Sequence, residues 1–197
     1  INATHPQFAV GQVSQALSSC AAVSFRCGNG FADDNGHGTA VASIAAGNRV
    51  SQFSNVTAGG YTTLVGNFIG VAPAANIVAE KVLNAAGSGY STDVANGVRK
   101  AADAGAGVIN VSITYGNDSN TVAAINYAAA KGAFIVWAGG NSAQNLLNNL
   151  NTSGLTQVAI QRLIFAGSVN SVNVASSFTN KPGTGSLVNT AGAKASY

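Results

Sequence analysis

The chain has 197 residues, of which 8% are charged and 47% hydrophobic. Low charge with ample apolar content excludes intrinsic disorder, and no apolar stretch reaches the 18 residues of a membrane span. Nine basic and six acidic residues give a net charge of +3. The basic residues form no cluster, so we expect no nucleic-acid partner. The length predicts one domain, covering residues 1–197.

The first predicted element follows an irregular polar stretch over residues 1–35. Residues 39–47, TAVASIAAG, are small and predict a helix that ends with Gly47 as its C-cap. Residues 48–68 are rich in Asn, Ser, Thr and Gly, and they predict a loop.

Helical and strand-like patterns alternate through the rest of the chain. The predicted strands are apolar and short: residues 77–83, 108–113, 134–138 and 163–169. The predicted helices between them are residues 91–103 and 121–131. This alternation predicts an open, mostly parallel α/β sheet with helices on both faces. Chemistry in such sheets gathers at the carboxyl ends of the strands, here residues 84–88, 112–116 and 139–141.

The two cysteines, Cys20 and Cys27, lie in a segment rich in Ser, Gly and Asn. Their spacing allows a short-loop disulfide, which needs an oxidising compartment, and it also allows two free thiols. Six intervening residues do not fit a zinc knuckle, so no metal is assigned to them.

Two side chains have chemistry that their local setting could use. His37 lies at a helix start with glycine on either side, where a neutral imidazole can act as a general base or merely cap the helix. Asn141 follows a strand in a Gly-Gly-Asn turn, where it can be a simple turn residue or an amide donor to a developing oxyanion.

Four segments in a fixed order resemble the subtilisin-like serine peptidases. They are residues 33–43 (DDNGHGTAVAS), 70–73 (GVAP), 110–112 (NVS) and 138–141 (AGGN), and the likeness extends from about residue 1 to residue 195. The resemblance implies the subtilisin-like α/β fold and a serine endopeptidase that acts on polypeptides. His37 would be its general base, and Asn141 would help to bind the oxyanion.

The resemblance also implies a peptide-binding cleft. The main chain of Ser112, Ile113 and Thr114 would pair with the substrate as an added strand, although these residues also suit a plain strand edge and turn. Gly139 and Gly140 would form part of the opposite pocket wall. The family commonly has Ser-Leu/Met-Gly-Gly where this chain has Ser112-Ile113-Thr114-Tyr115-Gly116, so its S1 preference is expected to differ.

Asp33 lies four residues before His37. Without the family it is a solvated loop acid. The resemblance implies a place on the rim of the S2 subsite and no place in the catalytic triad.

Two triad members are not found in the sequence. By resemblance, His5-Pro6 belongs to the stretch that opens the catalytic domain, which puts the aspartate three residues before Ile1. The string at residues 183–187, GTGSL, lacks the proline and the helical pattern of the family's serine motif, so Ser186 is not assigned as nucleophile. We therefore expect a catalytic-domain fragment, truncated at both ends and inactive alone.

Several further expectations complete this interpretation. No metal or other cofactor is assigned, because the long stretch of residues 48–68 contains no carboxylate to bind calcium, although calcium stays an open alternative. Secretion or display at the cell surface suits the composition. Alanine-rich helices and the GTGS string resemble autotransporter subtilases, whose membrane anchor would lie outside this chain. The alternatives are a degenerate pseudo-protease and a surface or adhesin module; a nucleotide-binding protein would need a phosphate-binding glycine motif, which is missing.

Overall fold

Twelve elements are found in the computed structural model, which describes residues 1–23, 27, 30–52, 65–114, 116, 118–145, 153–181 and 194–196. In chain order they are β1 (Ser19–Cys20), α1 (His37–Ala46), β2 (Val50–Gln52), β3 (Val65–Phe68), β4 (Glu80–Lys81), α2 (Ser91–Asp103), β5 (Val108–Val111), α3 (Ser119–Ala130), β6 (Phe134–Ala138), α4 (Gln157–Arg162), β7 (Leu163–Ala166) and β8 (Lys194–Ser196). The chain divides into two compact units. One contains Ile1–Cys20 and Phe25–Ser88, the other Ala21–Ser24 and Gly89–Tyr197.

Helix α1 forms in the first unit, as its small residues predict. It begins after Gly36, whose φ of 98° is left-handed and suits glycine. The expected glycine follows its last turn, but Gly47 is extended, with φ −65°. A Cβ at Gly47 would lie 2.6 Å from the Ser43 carbonyl oxygen. Close packing, and not a left-handed cap, therefore accounts for glycine at this position.

The segment predicted as a loop contains two strands. β2 and β3 pair antiparallel, with Val50 opposite Phe68. Residues 53–64, between them, lie outside the described part of the chain. The prediction of a plain loop over residues 48–68 is therefore wrong at both of its ends.

A parallel pair completes the first unit. β1 lies beside β4, with Cys20 opposite Lys81, and an isolated parallel bridge joins Val13 to Ile77. The strand predicted over residues 77–83 is thus reduced to Glu80–Lys81. Apolar side chains of Phe8, Val13, Ala42 and Ala79 form the core of this unit. Cys20 and Cys27 are joined as a disulfide, with 6.1 Å between their Cα atoms.

A four-stranded parallel sheet in the order β5-β6-β7-β8 forms the second unit. Val111 lies opposite Trp137, and Ala138 lies opposite Ala166, so the carboxyl ends of the first three strands meet at one edge. Helix α3 connects β5 to β6 and α4 precedes β7, which gives the expected alternation of strand and helix. The α/β class predicted from the sequence is confirmed.

Helix ends in this unit follow ordinary capping chemistry. α2 spans the predicted residues 91–103. α3 starts two residues before the predicted 121 because the Asp118 side chain accepts hydrogen bonds from the backbone N–H groups of Asn120 and Thr121. The sequence reading missed α4, whose Thr156 side chain caps the N–H of Ala159. Among the described helices, none is long and apolar enough to cross a bilayer.

Candidate active site

His37 is the first residue of α1, and its side chain is exposed to solvent. Its backbone N–H donates to Asn35 Oδ1 at 3.3 Å. No described residue forms a hydrogen bond with the imidazole ring. Within the described part of the chain both ring nitrogens are open, and a general base needs such an accessible nitrogen to take the proton of a nucleophile.

The turn that presents His37 is tied together by Asp33. Asp33 Oδ2 accepts hydrogen bonds from Thr39 N at 2.8 Å and Thr39 Oγ1 at 2.6 Å. Asp33 Oδ1 accepts from Gly36 N at 2.7 Å and Asn35 N at 3.0 Å. Because Gly36 has no side chain, Asp33 takes its place as the cap of the Thr39 N–H in the first turn of α1.

These contacts set the charge state of Asp33. Burial by itself would raise the pKa of the Asp33 carboxyl, but hydrogen bonds from Thr39, Gly36 and Asn35 outweigh it and hold the pKa well below its ordinary value. Asp33 is therefore ionised over the working range of most proteins. Its two oxygens are taken up by its own turn, which makes it a support for the backbone of His37; contact with substrate at S2 stays a prediction.

A second set of contacts joins the same turn to β4 and to the loop that follows it. Asn35 Nδ2 donates to the Ala85 carbonyl at 2.9 Å, and Lys81 Nζ forms an ion pair with Asp34 Oδ1 at 2.5 Å. Neither Asn35 nor Asp34 is assigned a role from the sequence. Nothing in the local pattern points to partners some fifty residues away.

In the second unit, Ser112, Ile113 and Thr114 directly follow β5. The Ile113 carbonyl accepts a hydrogen bond from the Trp137 indole at 2.8 Å. No described residue bonds to the main-chain groups of Ser112 or Thr114. These open donors and acceptors could pair with an extended peptide. Tyr115 lies outside the described residues.

The neighbouring strand β6 leads into Gly139, Gly140 and Asn141. Gly139 N–H donates to the Ala166 carbonyl at 2.8 Å, and a Cβ at Gly139 would lie 3.0 Å from that oxygen. Gly140 has a φ of 101°, a left-handed conformation that few other residues adopt. Both glycines are thus required by the backbone path that delivers Asn141.

Asn141 is exposed, and its side-chain amide has no partner among the described residues. An amide N–H₂ held at the end of a rigid strand can donate to an oxygen that gains negative charge. Because Val111 pairs with Trp137, β5 and β6 end at the same edge of the sheet, and the residues that follow them lie at that edge. The structure therefore brings the predicted peptide-binding segment and the predicted oxyanion donor to neighbouring positions.

One residue of this region went unnoticed in the sequence. Asn180 Oδ1 accepts hydrogen bonds from Ser142 N and Gln144 N, each at 3.0 Å, and so holds the turn that follows Asn141. Ser186 lies outside the described residues. Within the described ranges, no three His, Cys, Asp or Glu side chains form a metal-binding group.

The chain is similar in sequence to known proteins over most of its length. The model of the subtilase family, peptidase S8, matches residues 1–189. Thermitase of Thermoactinomyces vulgaris is 43% identical over 116 residues, which are 58% of this chain and 37% of thermitase. A thermophilic serine proteinase of Bacillus sp. strain AK1 is 34% identical over 151 residues, 75% of this chain and 32% of that protein.

The fold has solved counterparts. A cold-adapted subtilisin-like serine proteinase superimposes with a TM-score of 0.64 and 26% identity, over 91% of this chain and 55% of that one. The chain spans about a third of the length of the two sequence relatives.

Proposed function

Because the chain belongs to the subtilase family, we propose that it forms part of the catalytic domain of a serine endopeptidase. The observation that carries this proposal is His37, whose open imidazole stands at the start of α1 on a turn braced by Asp33. A general base needs a ring nitrogen that can reach the proton and a fixed backbone; no described residue bonds to either ring nitrogen of His37, and Asp33 holds its turn.

In the proposed mechanism a serine hydroxyl attacks the carbonyl carbon of a peptide bond. His37 takes the hydroxyl proton as the C–O bond forms, and then gives it to the leaving amine nitrogen as the C–N bond breaks. A water molecule then attacks the acyl-enzyme, again with His37 as the base. The ester bond to the serine breaks, which releases the carboxylic acid product and regenerates the serine. We place this serine, and the aspartate that orients His37, in parts of the parent protein outside residues 1–197.

The carbonyl oxygen becomes negatively charged in the tetrahedral intermediate. Asn141 donates its side-chain N–H to that oxygen, and the open amide described above supports this assignment. Preorganised donors of this kind stabilise the transition state because they need no reorientation during the reaction.

The substrate is a polypeptide that binds in extended form along residues 112–114. Hydrogen bonds to the main chain of Ser112 and Thr114 hold it without regard to sequence, as in strand addition. Specificity then comes from side-chain pockets, with Gly139 and Gly140 as part of one wall. Thr114 carries a side chain where the family commonly has glycine, so the S1 pocket of this protein accepts a different set of side chains.

The protein acts outside the cytoplasm, secreted or at the cell surface. The Cys20–Cys27 disulfide supports this location, because disulfides form and persist in oxidising compartments. The autotransporter type, with its membrane anchor outside this chain, is the more detailed form of the same proposal.

Labelling with a fluorophosphonate tests the proposal, since this probe reacts only with an activated serine. The full-length parent protein should be labelled and should hydrolyse a casein substrate. Its His37→Ala variant should lose about 10⁶-fold in kcat, the size of loss known for this base in a subtilisin. Residues 1–197 expressed alone should not be labelled at all.

The competing interpretations make different predictions. A pseudo-protease or a surface module would leave the full-length protein unlabelled and without hydrolysis, although correctly folded. Labelling of any residue in the isolated chain would instead show that the nucleophile lies within residues 1–197. Either result would overturn part of the proposal.

A further inference from the structure

Asn180 contacts the turn after β6 at three points. Its backbone N–H donates to the Gly140 carbonyl at 2.9 Å, just before Asn141. Its side-chain Oδ1 accepts from Ser142 N and Gln144 N at 3.0 Å each, just after Asn141. One residue therefore fixes the backbone on both sides of Asn141.

The fit between Asn180 and this turn is also steric. A Cβ built on Gly140 would lie 3.2 Å from Asn180 Cγ and would meet the side-chain nitrogen even more closely. Glycine at position 140 thus leaves space for the amide of Asn180. Two independent features therefore require glycine at position 140: its left-handed φ and the space that Asn180 occupies.

Asn180 is itself held in place by its neighbours in the chain. The preceding Thr179 is buried, with its side chain 1% exposed, and its Oγ1 accepts from Ser168 N at 2.9 Å. Two further backbone hydrogen bonds, Ala143 N to Phe178 O and Lys181 N to Gln144 O, are both 2.8 Å long. The Ser168–Thr179 bond anchors the segment that carries Asn180 to the loop after β7, and the two backbone bonds join the same segment to the turn after β6.

We propose that Asn180 is a positioning residue for the oxyanion donor: it holds the Gly140–Gln144 turn so that the Asn141 amide keeps one orientation. The inference rests on the proposed function. A donor helps catalysis only when it is already oriented, and displacement of a reacting group by about 1 Å can cost about 10²-fold in rate. The effect of Asn180 therefore passes through Asn141.

The test uses the full-length protein and a peptide substrate. Asn180→Ala removes the Oδ1 acceptor and should lower kcat by about 10- to 100-fold with KM nearly unchanged. Asn180→Asp keeps an acceptor oxygen for both N–H groups and should recover most of the rate. Amide hydrogen exchange should show Ser142 and Gln144 exposed in the alanine variant and protected in the aspartate variant.

Asn170 provides a matched control. Its Oδ1 likewise accepts from two backbone N–H groups, those of Val172 and Val174, at 3.0 Å each, but in a turn that does not carry Asn141. Asn170→Ala therefore removes the same kind of contact and should leave kcat unchanged.

A double variant separates positioning from general damage. If Asn180 acts through Asn141, Asn180→Ala should have little further effect on kcat in an Asn141→Ala background. An undiminished effect in that background, or a normal kcat in Asn180→Ala alone, would overturn the inference while leaving the peptidase assignment intact. A wild-type protein that neither hydrolyses peptide nor reacts with fluorophosphonate would overturn both.

Discussion

Two turns of this molecule each hold a functional side chain in place, and they do so with different chemistry. In the first unit, Asp33 binds the N–H groups that surround His37 with an ionised carboxylate. In the second, Asn180 binds the N–H groups that follow Asn141 with a neutral amide oxygen. Both functional side chains are exposed, because neither supporting side chain bonds to them: Asp33 binds backbone N–H groups and the Thr39 hydroxyl, and Asn180 binds backbone N–H groups.

The difference lies in sequence distance and in charge. Asp33 reaches Thr39 across six residues, whereas Asn180 reaches Ser142 across 38. A local support forms as soon as the turn forms, while a distant one needs the sheet to be complete. Charged acceptors also bind N–H groups more strongly than neutral ones, but only while they remain ionised. The two turns should therefore fail under different conditions.

The largest effect on the second turn should come from Asn141→Ala in the full-length protein. Loss of the amide donor should lower kcat by about 10²- to 10³-fold, the range known for such a donor in a subtilisin, with little change in KM. Steady-state kinetics on a peptide substrate measure it. Ser142→Ala is the control, since only the backbone N–H of Ser142 is bound. An increase in KM alone would place Asn141 in substrate binding.

The corresponding change in the first turn acts on stability. Asp33→Ala removes four hydrogen bonds at the start of α1 and should lower the free energy of unfolding by about 2 kcal/mol. Urea denaturation followed by circular dichroism measures the loss. We also expect a lower kcat, because His37 would stand on a frayed helix end. Wild-type stability in this variant would show that the turn holds without its carboxylate.

Acid should weaken the turn that Asp33 supports and leave the turn that Asn180 supports intact. The pKa of Asp33 is lower in the folded chain than in an unfolded one, where an aspartate has a pKa of about 3.9. Its stabilisation is therefore complete above about pH 5 and is lost as the pH falls below about 4 toward the folded value. Amide exchange should speed up at Gly36 and Thr39 at low pH, relative to the intrinsic rate, while Ser142 and Gln144 stay protected.

Asp118 gives an internal reference for this experiment. Burial raises the pKa of its carboxyl, but hydrogen bonds from Thr121, Ser91 and Asn120 lower it overall, so the cap of α3 should weaken over the same acid range. If the amides of Ser142 and Gln144, which Asn180 binds, lost their protection from exchange to the same extent, acid would be unfolding the second unit globally. That result would remove the distinction drawn between the two turns.

Much of the fold could be predicted because its signals are local. The strand around Ile135 is a continuous apolar run, and α2 was placed to the residue by its periodicity. Strand β1 was missed and β4 was predicted too long, because the two are each two residues long and are defined only by each other. Strand pairing of that length leaves no pattern in a single segment.

The candidate site divides in the same way. His37 and Asn141 were found because each lies in a motif that is contiguous in sequence. Asp33 was found for its position, but its role as a cap depends on the backbone of residues 35–39. Asn180 could not have been assigned, because its partners lie 36 and 38 residues away and include only backbone atoms.

The smallest effect should follow from a carboxylate that supports no turn. Asp103 accepts from Lys131 Nζ at 2.5 Å and from Tyr127 Oη at 2.6 Å, and these contacts with Lys131 and then Tyr127 lower the pKa of its carboxyl. The ion pair is exposed, with side-chain exposures of 52% for Asp103 and 41% for Lys131, so water and salt screen it. Asp103→Ala should leave the urea midpoint close to that of the wild type, in contrast to Asp33→Ala. A loss as large as that of Asp33→Ala would mean that charge alone, and not the binding of backbone N–H groups, makes Asp33 important.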